Sequence, residues 1–303
     1  MNQFVQQVLN GLQLGSVYTL ISLGYTMVYG ILRLINFAHG DIFMVGSYVG
    51  FFVTTFLLGR GGLPPAVTFV LGMIVTMCVT AALAVSIERV AYRPLRNAPR
   101  VSTVITALGI GLFLENFTLA TLGAEPRSVP VLIPSTSVPI GRSGATVSTV
   151  QIAIILVSLL LMLLLDAFVT KTMTGVAMRA VSFDRNVAVL LGVPTNRIIS
   201  ITFAIGSAVA GAGGILYGQA YPVIDPYMGI RIGWWSFIAA VVGGIGNIRG
   251  AMIGSFVLGF LEIFTPVVLP SSTYRDFVAF SLLLLFLVFR PTGILGQPAM
   301  KKV

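Results

Sequence analysis

Long apolar runs, separated by short polar breaks, make up most of this chain. Runs long enough to cross a bilayer fall near residues 8–32, 37–58, 64–88, 101–123, 149–169 and 198–220, since about twenty helical residues rising 1.5 Å each span the hydrocarbon core. Three further segments are less regular: 233–246 is apolar but short and glycine-rich, 251–269 is long enough, and 276–290 reaches only with its flanks. The pattern predicts an all-α, polytopic membrane protein of about eight or nine transmembrane helices, with residues 1–303 forming a single transmembrane domain.

Two interruptions stand out. Residues 124–148 carry Pro126, Pro130, Pro134 and Pro139 with Gly141 and Gly144, which predicts short extended pieces and turns rather than helix. Residues 170–197, TKTMTGVAMRAVSFDRNVAVLLGVPTNR, are the one sizeable polar insertion able to form helix. A helical loop of that kind between spans suggests a docking surface.

Charge orients the chain. Lys171, Arg179, Arg185 and Arg197 stand against the single acid Asp184 in the polar insertion; Arg89, Arg93, Arg96 and Arg100 surround the turn after the third run; Arg290, Lys301 and Lys302 mark the tail. All three regions are expected on the cytoplasmic side, which puts 124–148 outside. Parity then favours nine crossings with an external N-terminus, unless 233–246 is re-entrant.

Composition agrees, with 56% hydrophobic and only 9% charged residues among 303 and a mean hydropathy of +0.99, too few charges to cover a soluble domain. The net charge of +9 is scattered between apolar runs, so it follows membrane topology and does not form a nucleic-acid patch. Cys78 is the only cysteine, which excludes an intrachain disulfide or a cysteine-rich metal site. The first 32 residues hold no Lys or Arg, which argues for a retained first span over a cleaved signal peptide.

Catalytic chemistry is missing. There is no G-x-x-x-x-G-K-[ST] phosphate loop, so no ATP hydrolysis of that kind is expected on this chain. The sole histidine, His39, excludes a multi-histidine metal site. Gly141-Arg142-Ser143-Gly144 matches the short G-x-S-G pattern of intramembrane serine proteases, but it lies in the Pro/Gly loop without a paired base and reads as a turn. Small residues at helical spacing, Gly246, Gly250 and Gly254 and again Gly211, Gly214 and Gly218, predict close helix packing. GGIGNIRG, residues 243–250, also reads as a possible helix break, and such breaks are tolerated only when buried or lining a cavity.

Asn36, Phe37, Ala38, His39, Gly40 and Asp41 crowd an amide, an imidazole and a carboxylate between the first two runs. Two readings stand open: polar groups facing an interior or a water-filled path, or an interfacial turn in which Asp41 caps the second helix. Glu88, Glu115, Asp166, Glu262 and Asp276 fall near span ends and read as interfacial acids or partners of arginines.

LGSVYTLISLGYTMVYGILRLINFAHGD, SIERVAYRPLR, AVVGGIGNIRGAMIG and the closing RPTGILG occur in order along the chain. Together they resemble the permease subunits of branched-chain amino acid ABC importers, the LivH type. The resemblance implies a type II-like importer permease in a bacterial inner membrane. It also implies a LivM-like second permease, two cytoplasmic ATPase subunits that bind ATP and Mg, and a periplasmic amino-acid-binding protein; no cofactor is expected on this chain. Related permeases serve urea, short amides or other amino acids, so the substrate stays open.

The resemblance further assigns 170–197 as the coupling segment that seats in a groove of the ATPase, with Gly175, Arg179, Ala180, Ala188 and Gly192 in place and Arg179 and Arg185 expected to find acidic partners there. Against the wider importer pattern E-A-A-x-x-x-G, aligned on Gly192, the chain has Asn186, Val187 and Ala188, a partial match. Gly192 followed by Pro194 is expected to end the short helix. The possible translocation path comprises Asn36, His39 and Asp41 with Gly243, Gly244, Gly246 and Asn247. A stand-alone channel or secondary transporter would move substrate without partners, whereas a subunit of this kind would not.

Overall fold

The computed structural model describes residues 2–140, 145–269 and 271–296. The GRSG segment with Gly141, Ser143 and Gly144, and the residues Lys301 and Lys302, lie outside the described residues.

Each of the predicted apolar runs is a helix. Seven are long and apolar enough to cross a bilayer: α1 (Asn2–Leu32), α2 (His39–Gly59), α3 (Pro65–Ile87), α4 (Arg100–Leu122), α5 (Thr149–Lys171), α8 (Thr195–Ala220) and α10 (Ile248–Val268). The polar insertion folds as α6 (Met173–Phe183) and α7 (Arg185–Leu190). Two apolar helices are shorter, α9 (Met228–Gly243) and α11 (Tyr274–Phe289), at 16 residues each.

The layering follows from which helices carry small and polar residues on all sides. Of the apolar window of α1, 83% is buried within the protein, against 22% for α5. The centre is therefore α1 and α8, with α2, α9 and α10 packed on them, while α3, α4 and α5 present apolar faces outward. Gly15 of α1 faces Gly259 of α10, and Gly46 of α2 faces Gly211 of α8, letting backbones approach as membrane helices require.

Among the described residues, the glycine series divide differently from the prediction. Gly250 and Gly254 pack α10 against the end of α9, but Gly246 precedes α10 and does not share its face. Gly211 and Gly214 face α2 and α3, and Gly218 meets Val129.

Residues 124–140 and 145–148 form extended pieces and turns, as the prolines predict. The strand β1 (Arg127–Ser128) pairs antiparallel with β4 (Val223–Ile224), and β2 (Ser137–Ile140) with β3 (Ala145–Ser148). Gln219 ties this layer to α8: its Oε1 accepts the Leu132 N–H at 2.8 Å and its Nε2 donates to the Pro130 carbonyl at 2.9 Å. Ser148 and Gln151 form a capping box that starts α5. The opposite end of the bundle, with Arg89, Arg93, Arg96 and the α6–α7 loop, is the basic end.

Candidate translocation and coupling sites

The polar cluster after α1 is not a surface turn. Arg33 adopts φ 52°, the chain folds back without regular structure through 34–36, and α2 starts at His39 beside Gly24. Gly24 lies eight residues before the end of α1, so at 1.5 Å per residue the start of α2 is about 12 Å inside that end. Gly24 also faces Gly206, eleven residues into α8, about 16 Å from that helix's start. Irregular backbone at such depth needs cover from protein; Asn36, Ala38, His39 and Asp41 are all buried.

The interfacial-cap reading of Asp41 is thereby overturned. The N-cap is Ala38, which offers no side-chain bond, and Asp41 is the third residue of α2. Its carboxylate sits in the first turn, where the helix dipole favours negative charge.

Close packing holds the cluster. A Cβ on Gly24 would overlap the His39 ring, which meets the Tyr25 ring edge-on at 4.9 Å between centroids. Gly40 and Gly233 bring α2 and α9 into backbone contact. A Cβ on Gly111 of α4 would come within 2.5 Å of Asp41 Oδ2, and one on Gly229 within 2.7 Å of Oδ1. The Tyr92 hydroxyl donates to Asn36 Oδ1 at 2.6 Å. Asn36 Nδ2, both His39 ring nitrogens and Asp41 Oδ1 are buried with no partner in hydrogen-bonding geometry. An amide donor, an imidazole and a carboxylate are thus available deep in an apolar bundle, a place where polar groups are costly and ordinarily functional.

Tyr92 connects this cluster to the basic end. It closes the π-helical turn Glu88–Tyr92 that extends α3, followed by a 3₁₀ turn over Pro94–Asn97. Glu88 is fully buried and pairs with Arg96 and, at 3.5 Å, with Arg93. The Ser200 hydroxyl donates to Glu88 Oε2 at 2.6 Å, and Arg96 also donates to Asn196. Burial pulls the Arg96 guanidinium below its ordinary pKa, Glu88 opposes that, and Arg185 and Arg93 add to the lowering. The turn after α3 is thereby locked to the first residues of α8, where the polar loop ends.

The loop is built by caps. Thr172 accepts the Gly175 N–H at 3.1 Å to start α6, and the Asp184 carboxylate accepts from Asn186 at 2.8 Å and Val187 at 3.2 Å to start α7. At the far end Gly192 has φ 78°, the Val193 N–H bonds the Ala188 carbonyl at 2.9 Å and the Gly192 N–H bonds the Val189 carbonyl at 3.0 Å. This is the Schellman arrangement that Gly192 and Pro194 predict. Gly175 abuts the carbonyls of Phe168 and Val169 at the end of α5.

Arg179 is not a free topology marker: its guanidinium donates to the Val169 carbonyl. Ala180, Met178, Val181 and Ala188 pack against α1, α5 and α8, and Ser182 donates to the Gly30 carbonyl. Arg185 begins α7, close enough to Arg96 to repel it. Met173, Phe183, Val187, Leu190 and Leu191 point outward and are largely exposed, an apolar surface on a polar loop.

The helix break at 243–247 exists, but at the end of the bundle. Gly244 and Gly246 take φ 111° and 96°, Asn247 caps α10 by accepting the Gly250 N–H at 3.1 Å, and its amide donates to the Leu295 carbonyl at 2.8 Å. The closing RPTGILG segment seals the end of α9, with Ile294 and Leu295 N–H groups on the Val242 and Gly243 carbonyls at 2.9 and 3.0 Å. Gly246 lies beside Gly30, six residues beyond Gly24 and about 9 Å from His39's level. The two halves of the expected path are therefore not brought together: 36–41 is deep, and 243–247 sits where Ser182 touches α1.

Glu88, Tyr92 and Ser200 make buried polar contacts between elements that spacing alone understated. The one available signal was Glu88 eight residues ahead of Arg96 in SIERVAYRPLR. Of the other acids, Asp166 pairs with Arg249 at 3.2 Å, whereas Glu262 accepts from the Tyr18 hydroxyl and Asp276 from the Trp235 indole at 3.1 Å.

A bundle with seven helices long and apolar enough to cross a bilayer, and a cluster of polar side chains buried among them, is the architecture of a polytopic helical membrane protein. Residues 7–287 match the family described as branched-chain amino acid transport system / permease component, and the chain belongs to it. It is 45% identical to the high-affinity branched-chain amino acid transport system permease protein LivH of Escherichia coli K12, over 99% of this chain and 98% of that protein. It is 44% identical, at the same coverage, to the corresponding BraD of Pseudomonas aeruginosa. A probable LivH of Methanocaldococcus jannaschii is 29% identical over 93% of this chain and 89% of its own length.

Proposed function

We propose that this chain is the pore-forming permease subunit of an ATP-driven importer for leucine, isoleucine and valine in a bacterial inner membrane. The observation that carries the reading is the 45% identity to a high-affinity branched-chain amino acid permease along 99% of the chain. In this reading the basic end is cytoplasmic, the β-stranded end is external, and the nine apolar helices cross the membrane.

Energy comes from two ATPase subunits that bind ATP and Mg on their own chains, a LivM-like permease supplies the other half of the pore, and a periplasmic binding protein delivers substrate. The exposed apolar row of α6 and α7 seats in the ATPase groove. Motion there reaches the pore by two routes: through Ser182 to the end of α1, and through Asn196 and Ser200 to Glu88, Tyr92 and Asn36. The re-entrant 36–41 segment faces the path and gives the amino acid's charged ends transient polar contacts, while its side chain needs only apolar walls.

Two experiments test this. Uptake of labelled leucine by the reconstituted complex should be competed by isoleucine and valine and not by urea or short amides; competition by urea would reassign the substrate. Gly192→Glu or Arg179→Glu should abolish both ATPase association and uptake; survival of both sinks the docking assignment.

A further inference from the structure

A cleft of about 460 Å³ opens between α3 and α8 at the basic end, beside the end of the polar loop. Two helical rows line it. Val85, Arg89 and Arg93 follow one another at four-residue spacing along α3, its π extension and the residue that ends it, and Arg197, Ser200, Ile201 and Ala204 share one face of α8 at offsets of three and four, with Asn196 at the rim. Val85, Ile201 and Ala204 lie toward the middle of the spans, and the three arginines lie toward the basic end. One half of the cleft, toward the middle of the spans, is apolar, and the other, toward their basic end, is cationic.

The charge is in excess. Glu88 is the one acid at this place among the described residues, and it is already held by Arg96, Arg93 and Ser200. Arg89 and Arg197 are exposed, Arg185 adds positive charge behind, and Arg93 Nε has no hydrogen-bond partner. Guanidinium groups suit phosphate geometry, and basic pockets between spans on the cytoplasmic side hold anionic headgroups.

We infer that this cleft binds the phosphate headgroup of an anionic phospholipid, with Arg89, Arg93 and Arg197 on the phosphate and an acyl chain along Val85, Ile201 and Ala204. The occupant bears on transport because Arg93 and Ser200 belong to the Glu88 network that joins α3 to α8. The cytoplasmic placement rests on the proposed topology, but the binding measurement does not depend on transport.

The test uses the full-length chain in detergent, titrated with phosphatidylglycerol or phosphatidylcholine and read by native mass spectrometry. Phosphatidylglycerol should be retained in preference to phosphatidylcholine. The double variant Arg89→Gln/Arg197→Gln should lose about 25-fold in retention, roughly fivefold per arginine, while Arg60→Gln at the other end changes nothing. Both substituted side chains are exposed, so folding is spared, and melting curves check it. Equal retention by the double variant, or equal binding of phosphatidylcholine, overturns the site. Displacement of the lipid by millimolar inorganic phosphate would make it a free-anion site and overturn the headgroup assignment. So would crosslinking of Arg89 or Arg197 to a partner subunit's acids, with loss of lipid, in the assembled transporter.

Discussion

Replacing Glu88 by Gln keeps the shape of the side chain and removes its charge from between two arginines. Glu88 is 0% exposed and Arg96 6%, whereas Arg93 is 40% exposed. Breaking a buried pair from one side costs about 3–5 kcal/mol, because the remaining charge stays desolvated. An exposed pair is worth about 0–1 kcal/mol. Gln still accepts from Ser200, and Arg96 keeps Asn196, so the lower end applies, about 3 kcal/mol. That corresponds to a fall of about 6–12 °C in melting temperature by the scaling for domains of comparable size. Unfolding in mixed micelles, run as double-mutant cycles, separates the partners: coupling of about 2–3 kcal/mol is expected for Glu88 with Arg96 and below about 1 kcal/mol with Arg93. A destabilisation under about 1 kcal/mol, or a larger coupling to Arg93, would refute the claim that burial decides this site.

Further outcomes follow from the same structure. Gly40→Ala should prevent normal assembly, because its Cβ meets the Gly229 and Gly233 backbone, whereas Gly109→Ala, open on all sides, should change stability by less than about 0.5 kcal/mol; size-exclusion profiles of the pair decide it. Gly192→Ala should cost about 1–2 kcal/mol through its φ of 78°, and Gly192→Asn less, since asparagine tolerates that region; ATPase co-purification should fall in the same order. Asp41→Asn should lower leucine uptake with the complex intact, and undiminished uptake by that variant removes Asp41 from the path. Arg179→Gln should weaken α6 against α5 and loosen the loop to proteolysis, because the guanidinium holds the Val169 carbonyl.

The spans, the extended layer after α4 and the helix end at Gly192 were legible because each depends on local chemistry: apolar length, proline, a glycine after a helix; the caps at Ser148 and Asp184 were not read from the sequence. The 36–41 cluster was legible as unusual but not as deep. Its residues suit a cap as well as an interior, and only Gly24 of α1 meeting His39, with Gly206 of α8 packed on Gly24, decides between those. Arg89, Arg93 and Arg96 look alike as sequence, one basic group at a span end.

By itself the sequence determined a polytopic helical membrane protein and the placing of its spans, since hydrocarbon thickness and the cost of desolvating charge act along a single dimension of the chain. Tertiary structure alone decided that Arg96 is buried on Glu88 while Arg89 opens into a cleft, that Arg179 holds a helix end, and that the 243–247 break is sealed by the tail. Those outcomes are set by which helices meet and at what depth, and such contacts between distant residues are encoded in shape complementarity across the whole bundle, which no local pattern records.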